Sequence, residues 1–507
     1  MKKRSSLYLT IFLFWSILIA LFIPVIINEY GYARGHSLGV NILLTCNAIF
    51  IAYFWLNGTK DLIYVIWLYC RRMKLLGYVK KARHAKLPAK QRVTLLYCTC
   101  NDFEASSLEW SMKQDYDAKL LKTVILDDST DPDYKAKVDE FAKQHKGVKV
   151  IRRKDRKGFK AGNINNYLRG GGRKDYDYFV ILDSDERIPH DFTKRCLRYF
   201  TVDDKIGIVQ CSHIATRNEN RFMRLLHIGV NSHWPVYQLM KHHYGFMSLL
   251  GHGAMVSRKC YEAADGFPEV VAEDLCFSIE ARNHGYYVAF APDITCEEQY
   301  PVDYLAFKKR HSKWTQGNFE FIKRYTWRII RSKMRLHEKL DIFLFTYNLP
   351  LTAFFAFYIF INVLVLPLEH YTLHYPAWLL IPTVLFFFAP MLNDFIFWLG
   401  EIKLRRLLHY SLVTFALYGS MLYCSIKASF LSIIGKKAVF IVTPKTSQHV
   451  TLWEAIKFNI EELAFAAVMA GVALYFDSSI WATLLIVLPA AASVPLTLYS
   501  NSSRRTA

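Results

Sequence analysis

The chain is 507 residues long, 52% hydrophobic and 15% aromatic, with 21% of its residues charged. That length leaves room for more than one structural unit, and the mixture argues against one uniformly soluble domain, because apolar and charged stretches must be segregated. The net charge of +21 comes from Lys and Arg that crowd beside apolar runs, as in cytosolic loops of membrane proteins, and no concentrated basic face with stacking aromatics points to nucleic acid.

Lys2, Lys3 and Arg4 precede Leu7 to Ile27, a run of about 20 apolar residues, long enough to span a bilayer. Asn28-Glu29-Tyr30 follows with no small-residue cleavage site, which favours a span over a signal peptide. A second run, Val40 to Leu56, continues past Asn57-Gly58 into Leu62 to Tyr69, and basic residues resume at Arg71. This pair of helices is expected to return the chain to the cytosol. The block from Arg72 to Arg335 is charged and mixed. Within it Val93–Tyr97, Thr123–Leu126, Val148–Ile151 and Tyr178–Leu182 are short apolar runs, and Pro132–Lys146 is helix-like. Such alternation predicts an α/β domain with a parallel sheet, whose ligands sit beyond the carboxyl ends of the strands.

After this block, Ile342–Leu368, Pro376–Leu399, Leu463–Phe476 and Ile480–Tyr499 are expected spans. Leu407–Ile434 is also apolar. If it lies in the membrane interface, Lys403, Arg405, Arg406, Lys436, Lys437, Lys445, Arg504 and Arg505 are all cytosolic and the outer loops hold only Arg34. Charge bias therefore predicts six spans plus an interfacial helix. The ten cysteines lack regular spacing, and Cys98 and Cys100 are too close for a zinc site, so they read as reduced packing residues.

Two strands run into acidic clusters, Asp127-Asp128-Ser129 and Asp183-Ser184-Asp185. A carboxylate at a strand end is costly unless solvated, paired or bound to a cation. Asp183 and Asp185 offer oxygen ligands for Mg²⁺ or Mn²⁺, which would hold a diphosphate; the plain alternative is a turn, which also favours Asp and Ser. Between the clusters lies the basic, Gly-punctuated run from Arg152 to Asn163. It could engage phosphates or simply be a solvated loop.

The ordered set Asp127-Asp128-Ser129, Lys160-Ala161-Gly162-Asn163, Asp183-Ser184-Asp185, Gln210, Ala272-Glu273-Asp274 and Arg310-His311-Ser312-Lys313-Trp314 resembles the family-2 processive glycosyltransferases, which include cellulose, hyaluronan and chitin synthases. Phe440-Ile441-Val442-Thr443-Pro444-Lys445 is similar to the FxVTxK gating loop of bacterial cellulose synthase-like enzymes. The resemblance implies an α/β GT-A-type cytosolic domain (mixed, mostly parallel sheet) inserted between transmembrane helices. Its expected divisions are 1–72 (two helices), 73–318 (catalytic domain), 319–434 (interfacial and membrane helices), 435–456 (gating loop) and 457–507 (last two helices and tail).

By the same resemblance Asp127 and Asp128 contact uridine, and Asp183 and Asp185 hold the metal. Asp274 is the general base that deprotonates the acceptor hydroxyl for a single in-line, inverting displacement. Lys160, Lys313, Phe440, Thr443 and Lys445 complete the donor site; Trp314, Glu273, Gln210 and Arg310 serve the acceptor, with Trp314 stacking on a sugar. Two departures stand out. Ala272 replaces the threonine of a TED motif, and Arg310-x-x-Lys313-Trp314 replaces QxxRW, where lysine supplies a point charge but no bidentate fork. His252 in Gly251-His252-Gly253-Ala254 reads as structural. Asp394 within an apolar run should face a bundle interior or aqueous path.

The expected activity is polymerisation of a β-linked polysaccharide, a glucan from UDP-glucose, with translocation through the protein's own helices at the inner (plasma) membrane. The alternative is transfer of one sugar to a lipid carrier. Implied partners are a UDP-sugar, a growing polysaccharide, the bilayer, and export or regulatory proteins, but no nucleic acid. With eight residues after Tyr499, no cyclic-di-GMP-binding appendage is expected, and control is expected to come from elsewhere or to be absent.

Overall fold

The computed structural model describes residues 5–216, 220–347, 354–355, 357–435, 449–476 and 480–501. The four expected strands all form, as β1 (Val93–Thr99), β2 (Leu121–Asp127), β3 (Val148–Ile151) and β4 (Tyr178–Asp183), joined by β5 (Ile206–Ala215), β6 (Ala254–Ser257) and β7 (Tyr287–Glu298). The sheet order is β3-β2-β1-β4-β6-β5-β7. All pairs are parallel except those of β6, which runs antiparallel to β4 and β5. This is the mixed, mostly parallel sheet expected.

Strand side chains alternate between two buried faces, as a sheet covered on both sides requires. Leu96, Val124, Ile181 and Val256 pack on one side; Leu95, Ile125, Val180 and Met255 pack on the other. The first face continues without a break into Leu7, Ile11, Leu56 and Leu68 of the N-terminal helices. Helix Leu38–Leu75 explains the continuity. Its 38 residues extend about 57 Å at 1.5 Å per residue, well beyond a hydrocarbon core of about 30 Å. Its last turns therefore pack with the sheet domain.

A buried carboxylate fastens this junction. Asp341, on helix Leu336–Thr346, accepts from Tyr8 Oη, from Tyr64 Oη at 3.0 Å and from the Phe246 amide at 2.6 Å. It ties both N-terminal helices to the sheet domain.

Among the described residues, five helices are long and apolar enough to cross a membrane, or six if the bent pair Leu452–Phe458 and Ile460–Tyr475 forms one span. Residues 348–353 and 356 of the expected span Ile342–Leu368 lie outside the described residues. The described parts of Ile342–Leu368 are the end of Leu336–Thr346 and a shorter apolar helix, Phe357–Leu368. The expected interfacial stretch, by contrast, forms Leu404–Ile433, which has the length and composition of a span. Its second half also carries polar groups that meet the catalytic domain: Ser425 Oγ lies 2.8 Å from His311 Nε2, and the Ser432 carbonyl accepts from Lys323. Charge counting could not see these contacts.

Candidate active site

The site gathers at the carboxyl ends of β1, β2 and β4. Asp127 ends β2, where its Oδ1 accepts the Ser129 amide at 2.9 Å and its Oδ2 accepts Arg152 Nε at 2.6 Å. Asp128 takes a bidentate fork from Arg153, at 2.8 Å and 2.6 Å. The Arg153 guanidinium also donates to the Lys157 and Phe159 carbonyls, so it shapes the basic loop. Arg152 and Arg153 thus hold the two aspartates before any ligand arrives.

Lys160, on helix Phe159–Arg169, is the hinge of the constellation. Its Nζ donates to Asp183 Oδ1 and, at 2.8 Å, to the Gly251 carbonyl. Burial pulls the ammonium down, but Asp183 and Glu273 outweigh it and hold Lys160 well above its usual range. Asp183 is partly open, while Asp185 is buried with Oδ2 accepting the Gln299 amide at 3.0 Å.

Gly251 leads directly to the second carboxylate pair, since a Cβ there would stand 3.6 Å from Asp274 Oδ2. Glu273 and Asp274 open helix Glu273–Asn283, where a helix N-terminus favours negative charge. Asp274 Oδ1 accepts the Leu275 amide at 2.8 Å. Burial, and then the neighbouring Asp274, push Glu273 up to about 7; burial also raises Asp274 above the usual carboxylate range. Two carboxylates so placed repel each other and are poised to take a proton.

Helix Tyr304–Arg331 closes the site. Lys313 lies near Glu273 and Asp183, and burial lowers its ammonium below the ordinary range. Trp314, on the next position, is 46% exposed, as a stacking platform needs. Arg310, one turn earlier, lies over the Trp314 and Tyr300 rings at 4.2 Å and 4.7 Å. Gln210 is fully buried. Its Nε2 donates to the His252 carbonyl at 3.0 Å and its Oε1 accepts the Leu250 amide at 2.8 Å, so it reaches an acceptor only through the 250–253 loop. Phe440, Thr443 and Lys445 lie outside the described residues.

Residues 178–396 match the family model described as glycosyl transferase family group 2. The chain carries a family-2 glycosyltransferase domain. A curated relative, "Probable glucomannan 4-beta-mannosyltransferase 6" of Oryza sativa subsp. japonica, is 24% identical over 282 residues, covering 53% of this chain and 49% of the relative. The chain thus spans about half the length of that relative. Among solved structures, the mannosyltransferase PcManGT from Pyrobaculum calidifontis in complex with GDP-Man and Mn²⁺ is 18% identical with a TM-score of 0.43, covering 74% of this chain and all of that one. S. aureus TarS 1-349 is 13% identical with a TM-score of 0.37, covering 62% and 93%.

The glycosyltransferase site contains a layer that sequence reasoning missed. Glu186, directly after the Asp183-Ser184-Asp185 turn, is fully buried. Its Oε1 meets His213 Nε2 at 3.0 Å; its Oε2 accepts the Gly253 amide at 3.0 Å and lies 3.2 Å from His252 Nδ1. His252 Nε2 approaches Glu298 at 3.6 Å. Burial opposes charge on Glu186, but His252 and His213 overcome it and bring its carboxyl down to about 2. Gly253, at φ +59°, must be glycine, since a Cβ would stand 2.1 Å from His213 Nε2. His252 packs between Glu186 and Glu298 in the 250–253 loop, which lies beside Asp274. The signal was an acid one residue after the DxD, which an unaligned sequence does not single out.

Glu186, His213 and Cys296 also bring one oxygen, one nitrogen and one sulfur within 4.8 Å of one another in a buried spot. That donor set suits a softer ion such as Zn²⁺, not the hard cation a diphosphate requires. Asp183 and Asp185 offer only oxygens at the open strand end, and their donor chemistry fits Mg²⁺ or Mn²⁺.

Proposed function

We propose that this glycosyltransferase is a membrane-embedded, inverting polymerase of a β-linked hexose polysaccharide, working at the cytosolic face of the inner membrane and passing its product through its own helices. The observation that carries this reading is the bridge from Asp183 through Lys160 to Gly251 and Asp274, on a domain whose core is continuous with apolar helices. The bridge sets the donor's phosphate end and the acceptor's base at a fixed relation. Asp274 takes the proton of the acceptor hydroxyl as its oxygen attacks the anomeric carbon from the face opposite the leaving nucleoside diphosphate, which inverts the configuration. Lys160 and Lys313 stabilise the charge that develops on the leaving group. A divalent cation held by Asp183 and Asp185 would supply further neutralisation of the diphosphate. Trp314 offers its face to the acceptor sugar.

The donor is a nucleotide-activated hexose. The gating-loop likeness favours UDP-glucose; the glucomannan mannosyltransferase relative adds mannose, activated on uridine or guanosine diphosphate, as a candidate. The test is turnover by purified protein in nanodiscs with Mg²⁺ or Mn²⁺ and a panel of both nucleotide classes, following nucleotide release and product length. Polymer from one donor, lost in Asp274→Asn and on chelation with EDTA, is expected. Short lipid-linked product alone would instead support transfer of a single sugar to a lipid carrier.

A further inference from the structure

Three cations of helix Tyr304–Arg331 are committed to carboxylates. Lys308 pairs with Glu462 at 2.6 Å, Arg324 with Glu320 at 2.9 Å and Arg328 with Glu280 at 2.8 Å. Among the described residues Arg310 forms no ion pair; its described partners are the Tyr300 ring and hydroxyl and the Trp314 ring. Trp314 is 46% exposed. Tyr418, from the apolar helix Leu404–Ser420, lies in the same electrostatic neighbourhood and is also exposed.

A guanidinium laid on aromatic faces is held in orientation while most of its N–H donors, which lie in its plane, point outward at its edge; the Tyr300 hydroxyl engages one side of it. That edge matches a carboxylate or phosphate and has no comparable partner in a neutral sugar hydroxyl. The platform is also registered to the chemistry. Tyr300 follows Gln299, whose amide binds Asp185, and Glu298, which faces His252. Lys308 and Glu462 fix the preceding turn of the helix to Ile460–Tyr475.

We propose that Arg310, braced by Tyr300 and Trp314, recognises an anionic group on the acceptor, a carboxylate or a phosphate. The inference rests on the reading above, in which Trp314 faces the acceptor. Two sources carry the chemistry: a uronate within the glycan, or the phosphate of a lipid-linked sugar.

The experiment measures binding to the full chain in nanodiscs without donor. The probes are a neutral disaccharide, the same disaccharide with one uronate, and a polyprenyl-phosphate-linked hexose against its unphosphorylated alcohol-linked analogue. Wild type is expected to favour one charged probe by about tenfold, the order of one charge-assisted hydrogen bond. Arg310→Gln should bring that ratio close to one and Arg310→Lys should keep part of it. Preference for the uronate alone names the glycan as source; preference for the phosphate alone names the lipid. Equal wild-type binding of charged and neutral probes overturns the proposal, and that result needs no variant to fold. So does an equal loss for both members of each pair in Arg310→Gln, which is what a merely structural brace would produce. Donor turnover is scored separately. Nucleotide release with no anion preference removes the anion site and leaves the transferase, whereas an Arg310-dependent preference with no turnover of any donor does the reverse.

Discussion

Replacing Glu273 by glutamine removes a charge that the fold holds at a cost. Burial and the neighbouring Asp274 raise its carboxyl from 4.5 to about 7. Between those values the folded chain holds a proton that the unfolded chain has released, so native stability falls as pH rises from about 4.5 to 7 and stays reduced above it. A shift of that size corresponds to about 3 kcal/mol for a fully enclosed group. The Glu273 side chain is only half-buried, and solvent screening reduces this to about 1.5 kcal/mol. Glu273→Gln should therefore stabilise the ligand-free protein at pH 8, by about 3–6 °C in apparent melting temperature for a domain of this size. The gain should nearly vanish at pH 4.5, where neither state pays for the charge. The measurement is unfolding in detergent with EDTA and no nucleotide, at both pH values. A variant less stable than wild type at pH 8, or one whose stability difference does not change between pH 4.5 and 8, would refute this electrostatic account.

Arg153→Lys breaks the fork to Asp128 and the contacts to Lys157 and Phe159. It should raise the donor KM several-fold and destabilise by about 1–3 kcal/mol, the range for bonds to charged groups, as read by donor titration and melting. Glu186→Gln strips the charge facing His213 and His252. About 2–4 kcal/mol of stability should be lost at pH 7, together with faster hydrogen exchange over residues 250–253. Raising pH through about 9 to 10, where those histidines deprotonate, should narrow the gap, because their stabilising charge is present below this window and lost above it. Asp341→Asn leaves Tyr8 and Tyr64 facing a weaker acceptor. Proteolysis should then cut more readily at the junction between the N-terminal helices and the sheet domain, with donor binding by the isolated site little changed.

The sequence by itself determined the membrane runs at the N-terminus, the first four strands and the acidic ends of β2 and β4. Each rests on local physics: apolar length against bilayer thickness, period-two burial, and carboxylates that need a partner where a strand ends. The order of Asp127, Lys160, Asp183, Asp274 and Trp314 along the chain likewise marked the candidate site. What it lacked was distance. Only the fold joined Lys160 to Gly251 across 91 positions, placed β6 antiparallel between β4 and β5 and buried Gln210, expected at the acceptor, under the 250–253 loop. Glu186 was equally invisible, since its partners His213 and His252 come from β5 and from the loop before β6. The apolar stretches after the domain were legible as apolar but not as span or interface: Leu404–Ile433 carries polar contacts that exist only once Tyr304–Arg331 packs beside it. Periodicity reports which face of an element is buried, whereas the partner that buries it comes from elsewhere in the chain and is fixed only when the tertiary fold closes.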